Sequence, residues 1–229
     1  MGIGIHLVAG WALLAAHAYI VAFFVPAREA TIGGSYLIFF IHLPAAVSSL
    51  VLFLASGVLS AAHLLARRPG VSFAARSDVA AASAVEVGLA AATITLVTGS
   101  LWAKAAWGLW WDLGDPRLMT VAVLWLTYAA YLVLRAAVED PGRRARFSAV
   151  FGILAVANVP LVYFSARLFR TVHHPPGVEL SSGEMVFARW FGAGAFLVLA
   201  TALWRLRYRL GIERERLLEL EGRIHEPEF

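Results

Sequence analysis

Cysteine is absent from the 229 residues. Without it the chain forms no disulfide, no thiolate metal site, no iron–sulfur cluster and no covalent C-x-x-C-H attachment. Charge is scarce: only 15% of the residues are Asp, Glu, Lys or Arg, against about a quarter in a typical soluble domain. Neither G-x-x-x-x-G-K-[ST] nor G-x-G-x-x-G occurs, so no nucleotide-phosphate cradle is visible. What fills the chain is apolar, with 60% hydrophobic residues and a mean hydropathy of +0.74. One globule of this length cannot bury so much apolar surface. The chain reads as an integral membrane protein in one folding unit.

A helix crossing the hydrocarbon needs about 20 mostly apolar residues. Six stretches qualify: 4–25, 38–62, 80–101, 118–138, 147–166 and 186–204. The predicted class is an all-α, polytopic six-helix bundle. The stretches between carry helix-ending Gly, Pro and charge clusters, as in "VPAREATIGGS", "ARRPGVSFAARSD", "EDPGRRARFS" and "HHPPGVELSSGE". The basic residues orient it. Arg67, Arg68, Arg76, Arg135, Arg143, Arg144 and Arg146, with six more arginines in the tail, put thirteen of the nineteen on one side. Arg28, Lys104, Arg117, Arg167, Arg170 and Arg189 fall on the other. The positive-inside rule assigns the richer side to the cytoplasm, together with both termini. This placement accounts for the pI near 9.8 without a nucleic-acid partner. The first stretch has no basic leader and no clear cleavage site, and reads as retained. The segment 207–229 alternates charge with leucine, as a short amphipathic helix on the membrane or a partner does, or as a solvated tail does.

Four of the eight tryptophans crowd into ten residues, "WAKAAWGLWW", on the outward side. Aromatic rings commonly belt the membrane interface, but a belt spreads over several spans and this cluster does not. If the segment is helical, Trp107, Trp110 and Trp111 lie at i, i+3 and i+4 and make one aromatic face for a large, flat, partly apolar ligand. His42, in "FFIHLPAAVSSL", and His173 and His174, in "FRTVHHPPG", fall on the same side. An imidazole there can ligate a metal, haem iron included, or simply bond at the interface. The cations on this side can pair with a ligand's carboxylates or anchor the interface.

The segment "VEVGLAAATITLVTGSLWAKAAWGLWWDLGDPRLMT" resembles the tryptophan-rich WWD signature of haem-handling proteins of cytochrome c biogenesis. With "IHLPAAVSS", "NVPLVYFSARLFRTVHH" and six spans, nearly the whole chain resembles the haem exporter protein C family. The resemblance implies non-covalent, transient binding of haem b at the outer face of a bacterial inner membrane and delivery to a periplasmic haem chaperone. It implies further partners: a small single-span accessory subunit, and the membrane and ATPase subunits of an ABC transporter. By residue matching it implies His42 and His173 as axial ligands, with His174 as substitute. Its platform maps to Trp102, Trp107, Gly108, Trp110, Trp111, Asp115 and Arg117. The run "WWDLGDPRL" is one residue longer than the family's usual W-W-x-W-D, so Asp112 and Asp115 compete for the motif aspartate.

Other roles are weighed by position. Such a chain is not expected to be an enzyme. The related haem lyase or synthase has the same loop but is usually longer, with more spans and an outer domain. A membrane cytochrome b places its histidine pairs within spans. Glu86, inside the third stretch, is expected to face the bundle and be paired or protonated. His6 and His17 read as core or interfacial residues. His63 is a candidate for a contact on the cytoplasmic entry side, and His225 is a tail residue. Asn158 and Pro160 are expected to bend the fifth span.

Overall fold

The computed structural model describes residues 2–25, 33–66, 72–169 and 182–225, and the elements among them are helical. They are α1 (Gly2–Phe24), a 3-10 turn (Gly34–Ile38), α2 (Phe39–Leu65), α3 (Ser72–Trp107), α4 (Pro116–Ala137), α5 (Pro141–Val156), α6 (Asn158–Leu168) and α7 (Gly183–His225). Among the described residues six helical stretches are long and apolar enough to cross a membrane, with α5 and α6 together forming the fifth. The predicted all-α, polytopic class is therefore met.

Local chemistry sets the ends. Two Asp-Pro pairs start helices. Asp115 Oδ1 accepts the N–H groups of Arg117 (2.9 Å) and Leu118 (3.0 Å), and Asp140 Oδ1 accepts that of Arg143 (2.7 Å). In each case proline takes the first helical position, where a missing N–H costs nothing. Gly108 ends α3 with φ of 75° while its N–H reaches the Lys104 carbonyl at 3.1 Å, an αL cap that a side chain would strain. The fifth span breaks at Ala157, between α5 and α6, beside Asn158 and Pro160, where a bend was expected.

The largest core cluster joins α2 to α6. In it Phe53 and Tyr128 stack at 3.7 Å, among Val85, Leu124, Tyr131 and Val159. A second cluster gathers Val25, Tyr36, Phe40, Met185 and Ala188 at the His42 end of the bundle. Large apolar side chains such as Val8, Phe23, Val58, Val133 and Leu154 point outward instead, as lipid-facing helices require. Among the described residues three interhelix ion pairs tie the opposite end. Arg135 grips Asp78 in a bidentate pair at 2.6 and 2.9 Å, Arg144 meets Glu215 at 2.9 Å, and Arg207 meets Glu86. Glu86 is thus paired, and it lies about 32 Å along α3 from Trp107 at 1.5 Å per residue. That is close to the ~30 Å of a hydrocarbon core, so the pair stands near the far boundary of a layer beginning at Trp107.

Two helix boundaries differ from the sequence reading. The described part of the tail is helical and joins α7 without a break to His225, and α7 runs along α3, with Trp204 Nε1 donating to the Ala80 carbonyl at 2.9 Å. The tryptophan stretch is not all loop either, because α3 extends beyond the expected residue 101 and carries Trp102 and Trp107 on its last turns.

Candidate functional site

His42 sits in the first turn of α2 and is half-buried against α3. Its Nδ1 lies 3.2 Å from the Thr98 hydroxyl oxygen, and that hydroxyl lies 2.6 Å from the Ile94 carbonyl. A hydroxyl has one proton. Thr98 donates it to Ile94, one turn back on its own helix, so toward His42 it offers a lone pair. Nδ1 must then carry the proton and donate. A neutral imidazole in that tautomer holds its own lone pair on Nε2, the form in which histidine binds metal.

Sterics narrow the ring's position further. A Cβ on Gly99 would fall 2.9 Å from His42 Cε1, so only glycine fits beneath the imidazole. Trp102 meets the ring edge-on, with centroids 6.1 Å apart at 75°. Phe39 also meets Trp102, at 6.1 Å and 78°. Thr98, Gly99 and Trp102 occupy one face of α3, and with Phe39 they make an aromatic corner around His42.

The rest of the tryptophan segment is fixed by polar bonds. Ser100 Oγ donates to the Trp110 carbonyl at 2.8 Å. Lys104 Nζ donates to the Gly108 carbonyl at 2.8 Å and stands 5.8 Å from the centre of the Trp110 ring. Asp112 Oδ1 accepts the Gly114 N–H at 2.8 Å, closing a tight turn. Asp115 is 3% exposed and caps α4. Of the two aspartates competing for the motif, Asp115 is therefore the one built into the helix start, beside Arg117. Asp112 shapes the loop.

Gly108 overturns one expectation. With α3 ended there, Trp107 does not continue to Trp110 and Trp111 at helical spacing, and no single i, i+3, i+4 aromatic face forms. Trp110 and Trp111 instead line an open apolar groove of about 540 Å³ between α3 and α4, with Trp125 across from them. The α3 residues in that groove, Leu96, Val97, Ser100 and Leu101, lie on the opposite face from Thr98, Gly99 and Trp102 at 100° per residue. Among the expected site residues, the structure brings together His42 with Trp102, and Asp115 with Arg117. It places Trp110 and Trp111 around the far side of α3. Trp107 is exposed at the helix end. His173, His174, Arg28 and Arg170 lie outside the described residues.

The other histidines have different surroundings. His6 bonds the Gly2 carbonyl of its own helix. His63 Nδ1 lies 2.9 Å from the Ala74 carbonyl at the opposite end of the bundle. His17 is buried in the core. Among the described residues no three His, Asp or Glu side chains converge as a metal cage. A single fixed imidazole suits a metal that brings most of its coordination with it. Thr98, Gly99 and Phe39 went unnoticed in the sequence. The signal was "VTGS", a small and polar run near the outer end of α3.

Fold and site define a polytopic α-helical membrane protein with an imidazole beside a tryptophan, near a tryptophan-rich segment, at one end of its bundle. The chain belongs to the heme exporter protein C family, whose sequence model matches residues 3–226. It is 33% identical to heme exporter protein C of Bradyrhizobium diazoefficiens over 194 residues, covering 82% of this chain and 71% of that one. It is 31% identical to that of Paracoccus denitrificans over 197 residues, covering 83% and 79%. Identity to that of Escherichia coli is 29% over 180 residues, covering 77% and 70%.

Proposed function

We propose that this chain holds haem b non-covalently at the outer face of a bacterial inner membrane and hands it to a periplasmic haem chaperone during cytochrome c maturation. Haem is the cargo, and the chain itself breaks no bond in it. The observation that supports this best is the His42 imidazole itself, with Nδ1 3.2 Å from the Thr98 hydroxyl and the ring edge-on to Trp102. His42 and His173 serve as the axial ligands, with His174 the substitute. Trp102 walls the iron side. Trp107, Gly108, Trp110 and Trp111 complete the outward platform in this reading, although Trp110 and Trp111 line the α3–α4 groove on the other side of α3 from His42. Asp115 contributes by capping α4, and this sets Arg117 where it can meet a haem carboxylate. Both termini are cytoplasmic in this reading. The missing P-loop fits a chain that depends on a separate ATPase, with the ABC transporter subunits and a single-span accessory protein as partners.

The test is spectroscopic. Purified in detergent, the chain is expected to show low-spin haem absorbance. His42→Ala or His173→Ala should lose haem or shift the spectrum, and His6→Ala should do neither. Unchanged spectra in both ligand variants would overturn the assignment.

A further inference from the structure

Pro44 lies inside α2. Proline has no N–H, so the carbonyl four residues earlier, that of Phe40, lacks its ordinary helical donor, and the ring also crowds that carbonyl. His42 is carried on this same turn, between Phe40 and Pro44. Phe40 is fully buried, so water does not reach the site. A donor comes from a different helix: His17 Nε2 of α1 lies 2.8 Å from the Phe40 oxygen.

The pocket around His17 is made for its ring. His17 is 2% exposed. A Cβ on Gly192 of α7 would fall 2.6 Å from His17 Nε2, so only glycine lets the two helices close around it. Phe191 and Phe196 flank the ring at 6.3 and 6.4 Å. Nδ1 makes no hydrogen bond among the described residues, so the Phe40 carbonyl is the polar contact that accounts for a histidine in this apolar helix. We propose that His17 is a positioning residue. It supplies the proton that Pro44 cannot, and so holds the α2 turn that presents His42 to the iron. This rests on the reading of His42 as a haem ligand.

The idea makes His17 and Pro44 interdependent, which mere packing does not. His17→Ala is expected to raise the haem dissociation rate by about 5- to 30-fold, because a buried acceptor is left unsatisfied, and to shift the low-spin spectrum. His17→Gln, which keeps an N–H donor, should recover part of the loss. Pro44→Ala restores a backbone N–H to the Phe40 carbonyl, so adding His17→Ala to the Pro44→Ala variant should have little effect on haem. The thermal midpoint of the haem-free protein, measured on the parent, the two single variants and the double variant, should show the same coupling. Equal damage by His17→Ala with and without Pro44→Ala would overturn the proposal and leave His17 as a packing residue. Unaltered haem dissociation in His17→Ala would overturn it too. His42→Ala serves as reference. If it retains the low-spin spectrum, the ligand reading fails and the positioning role with it, while the thermal coupling still reports on the carbonyl contact.

Discussion

Thr98→Val tests the site at its most specific point. Valine keeps the shape of threonine and removes the hydroxyl, so the His42 Nδ1–H, now 3.2 Å from that oxygen, loses its acceptor. A buried hydrogen bond contributes about 0.5–1.5 kcal/mol net, and an unsatisfied donor costs about 1–3 kcal/mol. Loss of an outer partner to a metal-bound histidine lowers metal affinity by about 10- to 100-fold. The contact is at the long end of its range, so about tenfold weaker haem binding is expected. The bond also makes the imidazole a stronger donor, and its loss should move the iron potential to more positive values. Haem titration of the detergent-solubilised protein, followed at the Soret band and by ferric electron paramagnetic resonance, reads affinity and ligation together. Thr98→Ser keeps the hydroxyl and should stay within about twofold of the parent by the same bookkeeping. If Thr98→Val binds haem with unaltered affinity, spectrum and potential, the tautomer argument is wrong. If Thr98→Ser fails as badly as Thr98→Val, the methyl group matters and the hydroxyl does not.

Gly99→Ala places a Cβ 2.9 Å from His42 Cε1. It should cost about 1–3 kcal/mol of overpacking and reduce haem retention, whereas Gly194→Ala, where nothing lies within 4 Å, should be silent in the same assay. Trp110→Ala and Trp111→Ala should each weaken haem binding partially, since an aromatic contact adds about 0.5–1.5 kcal/mol beyond its area, and the double change should nearly abolish it. Trp110 is 56% exposed, so its truncation opens no core cavity, and a double variant that folds and still binds haem normally would reduce these rings to a membrane belt. Because the chain has no cysteine, single cysteines at Gly114, Ser181 and Gly70 report topology cleanly. An impermeant thiol reagent should label the first two in intact cells and the third only after lysis, and labelling of Gly114 and Ser181 from opposite sides would end the shared-haem reading.

The helical class and the six spans were legible because hydropathy records how much apolar surface each stretch must hide, and no tertiary detail is needed for that. The broken fifth span was legible for the same kind of reason, since a proline removes a donor wherever it stands. Helix ends were harder to place. Asp115 was read as a motif residue and Asp140 as part of a charged break, and only their Oδ1 contacts with N–H groups two and three residues on show them to be caps. Gly108 was nominated only as a member of the platform, not as a helix end. Its positive φ is what turns Trp110 and Trp111 away from the line of α3, so spacing alone mispredicted a continuous aromatic face. The continuity of the tail with α7 was not legible, because charge on a helix does not say whether the helix has ended, and Arg144–Glu215 and Arg207–Glu86 are long-range pairs that a one-dimensional reading cannot assemble.

For the site, residue type was enough to nominate His42, but not to say what makes it a ligand. That depends on where one proton sits. The Thr98 proton is directed to Ile94 by the helix they share, and this choice fixes the proton of His42 on the facing helix. The chain likewise advertises Pro44, but a sequence does not reveal which donor answers the carbonyl that a proline leaves unserved. His17 stands 23 residues from Phe40 and reads in isolation as an ordinary core histidine. Its contact with that carbonyl gives it a specific reason to be a histidine, and makes Pro44 the residue whose replacement decides whether that reason holds.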